Sequence, residues 1–185
     1  MQSPVNTDTA MELKEIEPGL TAYVCPKSAG VWIPLQSYLT WKEHRKIVKS
    51  PLPTGYIPVL ADDSKRPALV CPESGRLLIR YGVGHGLTFH IDLSPVTGGV
   101  WLDQGEWEAL KSKELHSELN FIFTASYQRQ VRNAEYEESL DQTFCARIGS
   151  EDFQKVAVFK SWLAAHPKRR DVCCYLMHNL EREDE

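Results

Sequence analysis

Two cysteines open the chemistry of this chain. Cys25-Pro26-Lys27-Ser28 and Cys71-Pro72-Glu73-Ser74 share one form. It is that of a C-P-x-C loop, in which two thiolates grip a zinc ion, with the second thiol exchanged for a hydroxyl. Ser3-Pro4-Val5-Asn6 and Ser94-Pro95-Val96-Thr97 repeat the shape with a hydroxyl in first place. The loops pair at separations of 22 residues (3 to 25) and 23 residues (71 to 94). Two such loops at that distance are what a four-ligand zinc site requires. The ligand positions would be Ser3, Asn6, Cys25 and Ser28 in one quartet, and Cys71, Ser74, Ser94 and Thr97 in the other. One thiolate per quartet is too few, because a neutral hydroxyl is a poor zinc ligand at neutral pH. Both quartets are therefore expected to hold no structural zinc and no other cofactor. The hydroxyls are expected to bond the loop amides that thiolates would otherwise have bonded. The alternative is a composite zinc site in which Cys25 and Cys71 meet across the repeat, joined by His85 or His90.

Other groups with chemical potential are few. His85, His90 and Asp92 stand near Cys71 in sequence, and His116 lies beside Glu114 and Glu118. No nucleophile elbow, paired-metal motif or phosphate loop accompanies them. "GVGHG" (82–86) lies between two strand patterns with no helix opening after it, so it reads as a turn. No catalytic residue is assigned, and the chain is expected not to be an enzyme. Cys173 and Cys174 sit in an apolar helical stretch and read as buried small hydrophobes, with a redox pair as the alternative. Five cysteines show no disulfide-scaffold spacing.

The elements that must position these loops repeat as well. "CPKSAGVWIP" (25–34) returns as "SPVTGGVWLD" (94–103), 69 positions on (25 to 94). Trp32 thus answers to Trp101. Each is read as a core anchor, or as part of an interaction surface with Lys42, Arg45 and Lys46. Glu17-Pro18-Gly19 and Gly84-His85-Gly86 punctuate two hairpins. A short Val-Trp strand and a helix follow each second loop. Pro34 suits the first turn of one helix, with Tyr38, Trp41 and Val48 behind it. Asp103 and Glu106 have capping-box spacing at the start of the other, and Trp107, Leu110, Leu115, Leu119 and Ile122 give it an apolar face. The proline-rich stretch 50–67 is a linker or an extended wrap. A later helix is expected with Ser150 as its cap, a stripe of Phe153, Val156, Phe159 and Leu163, and a stop at Pro167. The fold class is α+β: two degenerate ribbon units (1–49 and 68–118), a linker (50–67) and a helical tail (119–185) packing on them.

The net charge of −4 over 185 residues argues against phosphate-driven nucleic-acid binding, which needs a basic field. "KEHRK" (42–46) and "HPKRR" (166–170) read as exposed helix faces or ends. No apolar run approaches the roughly 20 residues of a membrane span, and the first residues show no secretory signal. The expected location is the cytoplasm, away from membranes.

The stretch 71–110 resembles the bacterial zinc-ribbon family named after transcription factor IIB. That family's pattern is C-P-x-C-G, a hairpin, then C-x-x-C-G-G-x-W-L-D-x-G-E. Gly98-Gly99-Val100-Trp101-Leu102-Asp103-Gln104-Gly105-Glu106 is its most specific portion. The N-terminal copy is a weaker match, and the tail is similar to those of uncharacterised bacterial members. The resemblance implies a ribbon fold and a bound zinc, from which the two quartets depart. Without zinc, a ribbon of about 40 residues needs another source of stability. The aromatic residues and the tail are expected to provide a shared core. The resulting expectation is a non-catalytic, metal-free interaction or regulatory module with a protein partner or a second copy. A nucleic-acid- or RNA-polymerase-associated protein is the alternative.

Overall fold

Strand residues alternate between the two faces of a sheet. In Val31-Trp32-Ile33 and Val100-Trp101-Leu102 that alternation sends each tryptophan to one face and its aliphatic neighbours to the other. A computed structural model describes residues 1–44 and 66–178. It is an α+β fold built on one six-stranded antiparallel sheet. The strands are β1 (Glu12–Glu17), β2 (Leu20–Val24), β3 (Val31–Ile33), β4 (Ile79–Gly84), β5 (Leu87–Leu93) and β6 (Val100–Leu102), in the order β1-β2-β3-β6-β5-β4. The expected hairpins form at β1–β2 and β4–β5. Gly19 takes φ 83° in the first turn, and Gly84, His85 and Gly86 all take positive φ in the second.

The two halves of the sheet meet at β3 and β6, where Trp32 stands opposite Trp101. Tyr23 pairs with Trp32 in one half as Asp92 pairs with Trp101 in the other. That is the 69-residue offset read from the sequence. A Cβ at Gly30 would lie 2.2 Å from the Trp101 ring, and one at Gly99 would lie 2.2 Å from the Trp32 ring. Neither glycine has a positive φ; each is needed because the other half's indole rests on its backbone. The glycine and tryptophan of each "GVW" are thus halves of two reciprocal contacts. Both tryptophans are fully buried, so neither is available as part of an interaction surface, and the core-anchor alternative holds.

One face of the sheet is covered by α1 (Leu35–His44), α2 (Glu106–Ser112), a 3-10 turn (Leu115–Glu118), α3 (Leu119–Ile122) and the start of α4 (Ala125–Ile148). Helix α1 begins directly after Pro34, whose carbonyl accepts the Tyr38 amide. Tyr38, Trp41, Trp107, Leu110, Leu119, Ile122, Tyr127 and Val131 are buried against Leu20, Ile33, Ile91 and Leu102. The Tyr38 hydroxyl donates to the His116 carbonyl at 3.1 Å and accepts the Leu119 amide at 3.2 Å, tying α1 to α3. The single helix expected past Glu106 is broken. Glu114 takes φ 58° and the chain restarts as the 3-10 turn. Half of the expected capping box forms: the return bond from Glu106 is made, while Asp103 is not the cap. Gly105 is the N-cap, Glu106 accepts the Asp103 amide at 2.7 Å, and the Asp103 carboxylate is engaged elsewhere.

The described chain divides into two units, 1–133 and 134–185. The first contains the sheet and its helices, including residues 119–131 of the expected tail. The second continues α4 and adds α5 (Ser150–Ala165) and α6 (Arg169–Met177). Gly149, not Ser150, caps α5, with φ 84°, and α5 ends before Pro167 as expected. No described residue of 134–178 is buried. Among the described residues none of the stripe Phe153, Val156, Phe159 and Leu163 is buried, and Cys173 and Cys174 are exposed rather than buried. Arg45, Lys46, Val48 and most of the expected linker (50–65) lie outside the described residues. No helix among the described residues is long and apolar enough to cross a membrane.

Candidate functional site

Three of the four loops share one backbone. In the loops opened by Cys25, Cys71 and Ser94, the first residue donates to the carbonyl five residues on. The residue four on donates back to the first carbonyl, over 2.7–2.9 Å. The fifth residue is left-handed each time: Ala29 (φ 53°), Gly75 (φ 68°) and Gly98 (φ 71°). The Ser3 loop is one residue longer, closing from the Ser3 amide to the Thr9 carbonyl at 2.9 Å.

The side chains complete the pattern. Ser3 Oγ accepts the amides of Val5 (3.3 Å) and Asn6 (3.2 Å), and Ser94 Oγ accepts the Thr97 amide (3.1 Å). Cys71 Sγ accepts the Ser74 amide at 3.4 Å. The hydroxyls in fourth place each accept an amide two residues on, at 3.4 Å: Ser28 from Gly30, Ser74 from Arg76 and Thr97 from Gly99. A hydroxyl can both donate and accept, so it serves these amides without a metal behind it.

Each quartet converges on its one thiol. Asn6 Nδ2 donates to Cys25 Sγ at 3.6 Å, and the hydroxyls of Ser28 and Ser3 bond the same sulfur. Cys71 Sγ lies 3.8 Å from Thr97 Oγ1 and is bonded by Ser74 and Ser94. Burial pushes the Cys25 thiol up. The hydroxyls of Ser28 and Ser3 and the amides of Ser28 and Lys27 outweigh it and bring the pKa from 9.0 down to about 7. Burial also raises Cys71, and the hydroxyls of Ser74 and Ser94 with two backbone amides turn the net shift downward. Both cysteines are buried, and with Trp32, Trp101, Met11, Leu69 and Leu78 they form the core on the sheet face opposite the helices.

The donor chemistry does not fit zinc. Each quartet offers one thiol and neutral oxygens or an amide, and those oxygens already accept backbone N–H groups. Among the described residues no group of three or more His, Cys, Asp or Glu is placed to hold a metal ion. Cys25 and Cys71 do share a core cluster, but the composite site does not assemble. His85 stays in the β4–β5 turn, its ring 5.6 Å from that of Tyr127.

Beside the second quartet runs a charged network that sequence reasoning missed. Arg66 bonds both Asp92 and Asp103, and Arg80 Nε reaches Asp92 at 3.4 Å. Asp103 also accepts the Trp101 indole N–H at 2.8 Å. The Asp92 side chain is 3% exposed and that of Arg66 11%. Arg66 sits in the proline-rich stretch, 26 positions before Asp92, and no local pattern couples them. His116 is buried against the rings of Trp41 and Trp107, at 6.0 and 5.7 Å. Glu118 is drawn to Lys42 at 3.3 Å. Asp92 and Glu118 are thus engaged in ion pairs, and His85 and His116 pack against aromatic rings.

Unit 134–178 presents the opposite surface chemistry. Tyr136, Phe144, Val158, Trp162, Tyr175 and Met177 are all exposed. A groove between α4 and α5 is lined by Glu137, Glu138 and Asp141, and one between α5 and α6 by Lys160, Arg169 and Arg170. No family model matches this chain, and comparisons with curated proteins and with solved structures find no match.

Proposed function

We propose that this chain is a non-catalytic, metal-free protein–protein interaction module. Its first unit is a scaffold made of two duplicated, degenerate zinc ribbons, and its helices from Ala134 onward are the contact surface. The observation that carries the reading is the exposure of those helices. None of their described residues is buried, yet Val158 is 72% and Tyr175 78% exposed. Apolar patches of this kind mark interaction sites. The first unit supports the scaffold role: its chemical groups are turned inward, into hydroxyl–amide bonds, a tryptophan pair and ion pairs.

Association with nucleic acid is the competing reading, and the net charge of −4 weighs against it. One experiment addresses both. Phe159→Asp with Trp162→Asp is expected to abolish association captured from the native cell, with or without nuclease, and to leave urea unfolding of the sheet unchanged. Capture that survives the double substitution, or that vanishes with nuclease alone, overturns the proposal.

A further inference from the structure

Resting on the interaction reading above, we infer that the partner covering α4–α6 is a second copy of this chain, docked through an isologous helical interface. Three observations converge on it.

The first is physical need. Helix α5 carries Phe153, Val156, Val158, Phe159, Trp162 and Leu163 on a broad apolar side, with Glu151, Asp152, Lys155 and Lys160 among them. A broad apolar side of this kind is normally covered by another element. Short helices gain most of their stability from packing rather than from propensity. Here α5 and α6 contain no buried residue.

The second is area. An aromatic side chain offers about 150–250 Å². Tyr136, Phe144, Phe159, Trp162 and Tyr175 are exposed by 66%, 48%, 40%, 51% and 78%. These rings, spread over the three helices, therefore present on the order of 400–700 Å². Val158, Met177 and their neighbours carry the surface toward the roughly 800 Å² per partner of a stable interface.

The third is charge, and it selects the occupant. The α4–α5 groove carries the carboxylates of Glu137, Glu138 and Asp141; the α5–α6 groove is apolar, lined by Leu163, Ala164, Cys173 and Cys174, and carries the cations Lys160, Arg169 and Arg170. Within one chain Lys160 reaches Asp141 at 3.7 Å. Among the described residues Glu137, Arg169 and Arg170 have no ion-pair partner. A two-fold axis places the acidic groove of each copy against the basic helix of the other, satisfying the same contact twice. A surface bearing both halves of a complementary pair is matched by itself.

The test uses the full chain in sedimentation equilibrium at low and high salt. The native protein is expected to be a dimer that loosens as salt rises. Val158→Asp with Trp162→Asp is expected to weaken it at least 100-fold. Glu137→Lys with Glu138→Lys, and Arg169→Glu with Arg170→Glu, are each expected to give monomers. Mixing these two charge-reversed chains is expected to restore a heterodimer. A dimer that survives the aspartates, or charge-reversed chains that fail to pair on mixing, overturns the inference. So does a native chain that stays monomeric up to 100-fold above its working concentration. In that last case hydrogen exchange over 134–178 separates the two readings. Protected amides in the monomer overturn the interaction surface as well, whereas unprotected amides overturn only the second copy and leave a different partner.

Discussion

Cys25 stands in the second loop of its quartet, and Cys71 in the first loop of the other. Three of the four loops keep the same backbone, the Ser3 loop being one residue longer, although the thiol stands at opposite corners of the two quartets. The two halves of the sheet differ more in what covers the tryptophan face. Opposite Trp32 the first half places Tyr23, whose own partner across the hairpin is Leu13. Opposite Trp101 the second half places Asp92, whose partner is Arg80, and Arg66 closes the network from the proline-rich stretch. In the first half Tyr23 packs on this face and the Trp32 indole donates to the Glu73 carboxylate at 3.2 Å, whereas in the second half the Trp101 indole donates to Asp103 inside a network of paired charges. The contrast shows that backbone geometry in this sheet is held by loop hydrogen bonds and the reciprocal indole–glycine contacts. The covering groups are free to differ as long as each is satisfied.

The strongest way to break the equivalence is to return thiols to one half. Ser3→Cys, Asn6→Cys and Ser28→Cys alongside Cys25 are expected to create a zinc site worth on the order of 10 kcal/mol. The native chain should be unaffected by zinc or chelator in the same calorimetric titration. An engineered half that ignores zinc means that the loops do not share the geometry of a metal quartet.

Next in size is the charged network. Asp92→Ala removes one of the two carboxylates held by Arg66 and the one reached by the partly exposed Arg80, and is expected to cost about 2–3 kcal/mol, whereas Tyr23→Phe should cost under about 1 kcal/mol. Urea midpoints compare the two halves directly, and equal costs would show that the network carries no special weight.

The reciprocal contact predicts symmetry instead. Gly30→Ala and Gly99→Ala each press a methyl into the opposite indole and should each cost roughly 1–3 kcal/mol. A large difference between them would mean that the two rings are not equivalently seated.

The smallest effect is a pH dependence. The folded pKa of Cys25 lies below its ordinary value, so the anion is favoured in the folded state. The associated stability is absent below pH 7, grows as pH rises through about 7, and is complete above 9. It amounts to at most about 2–3 kcal/mol. Cys25→Ala should reduce the rise in unfolding free energy between pH 6.5 and 9, leaving the part that Cys71 contributes, and an unchanged rise would assign it to other groups.

Much of this was legible in the residues. The four loops, both hairpins, the two Val-Trp strands and the helices after them follow from spacing, glycine placement and period-two or helical patterning. Ser94 and Thr97 could be assigned to loop amides because a hydroxyl in a turn has few other local uses. The expected cap at Ser150 failed because Gly149 could adopt a conformation that a serine rarely takes, which moved the helix start by one residue. The unbroken helix after Glu106 failed because apolar periodicity does not register a left-handed Glu114.

The sequence by itself determined the local geometry: which stretches turn, which alternate, and how few thiols remain for a metal. Those are properties of neighbouring residues, set by backbone sterics and side-chain donors within a few positions. Only the tertiary structure decided that Trp32 and Trp101 seat on each other's glycine, that Arg66 reaches Asp92 and Asp103, and that α5 has no buried residue among the described ones. Such outcomes depend on which distant surfaces meet, and a linear pattern gives the need for burial without naming the surface that meets it.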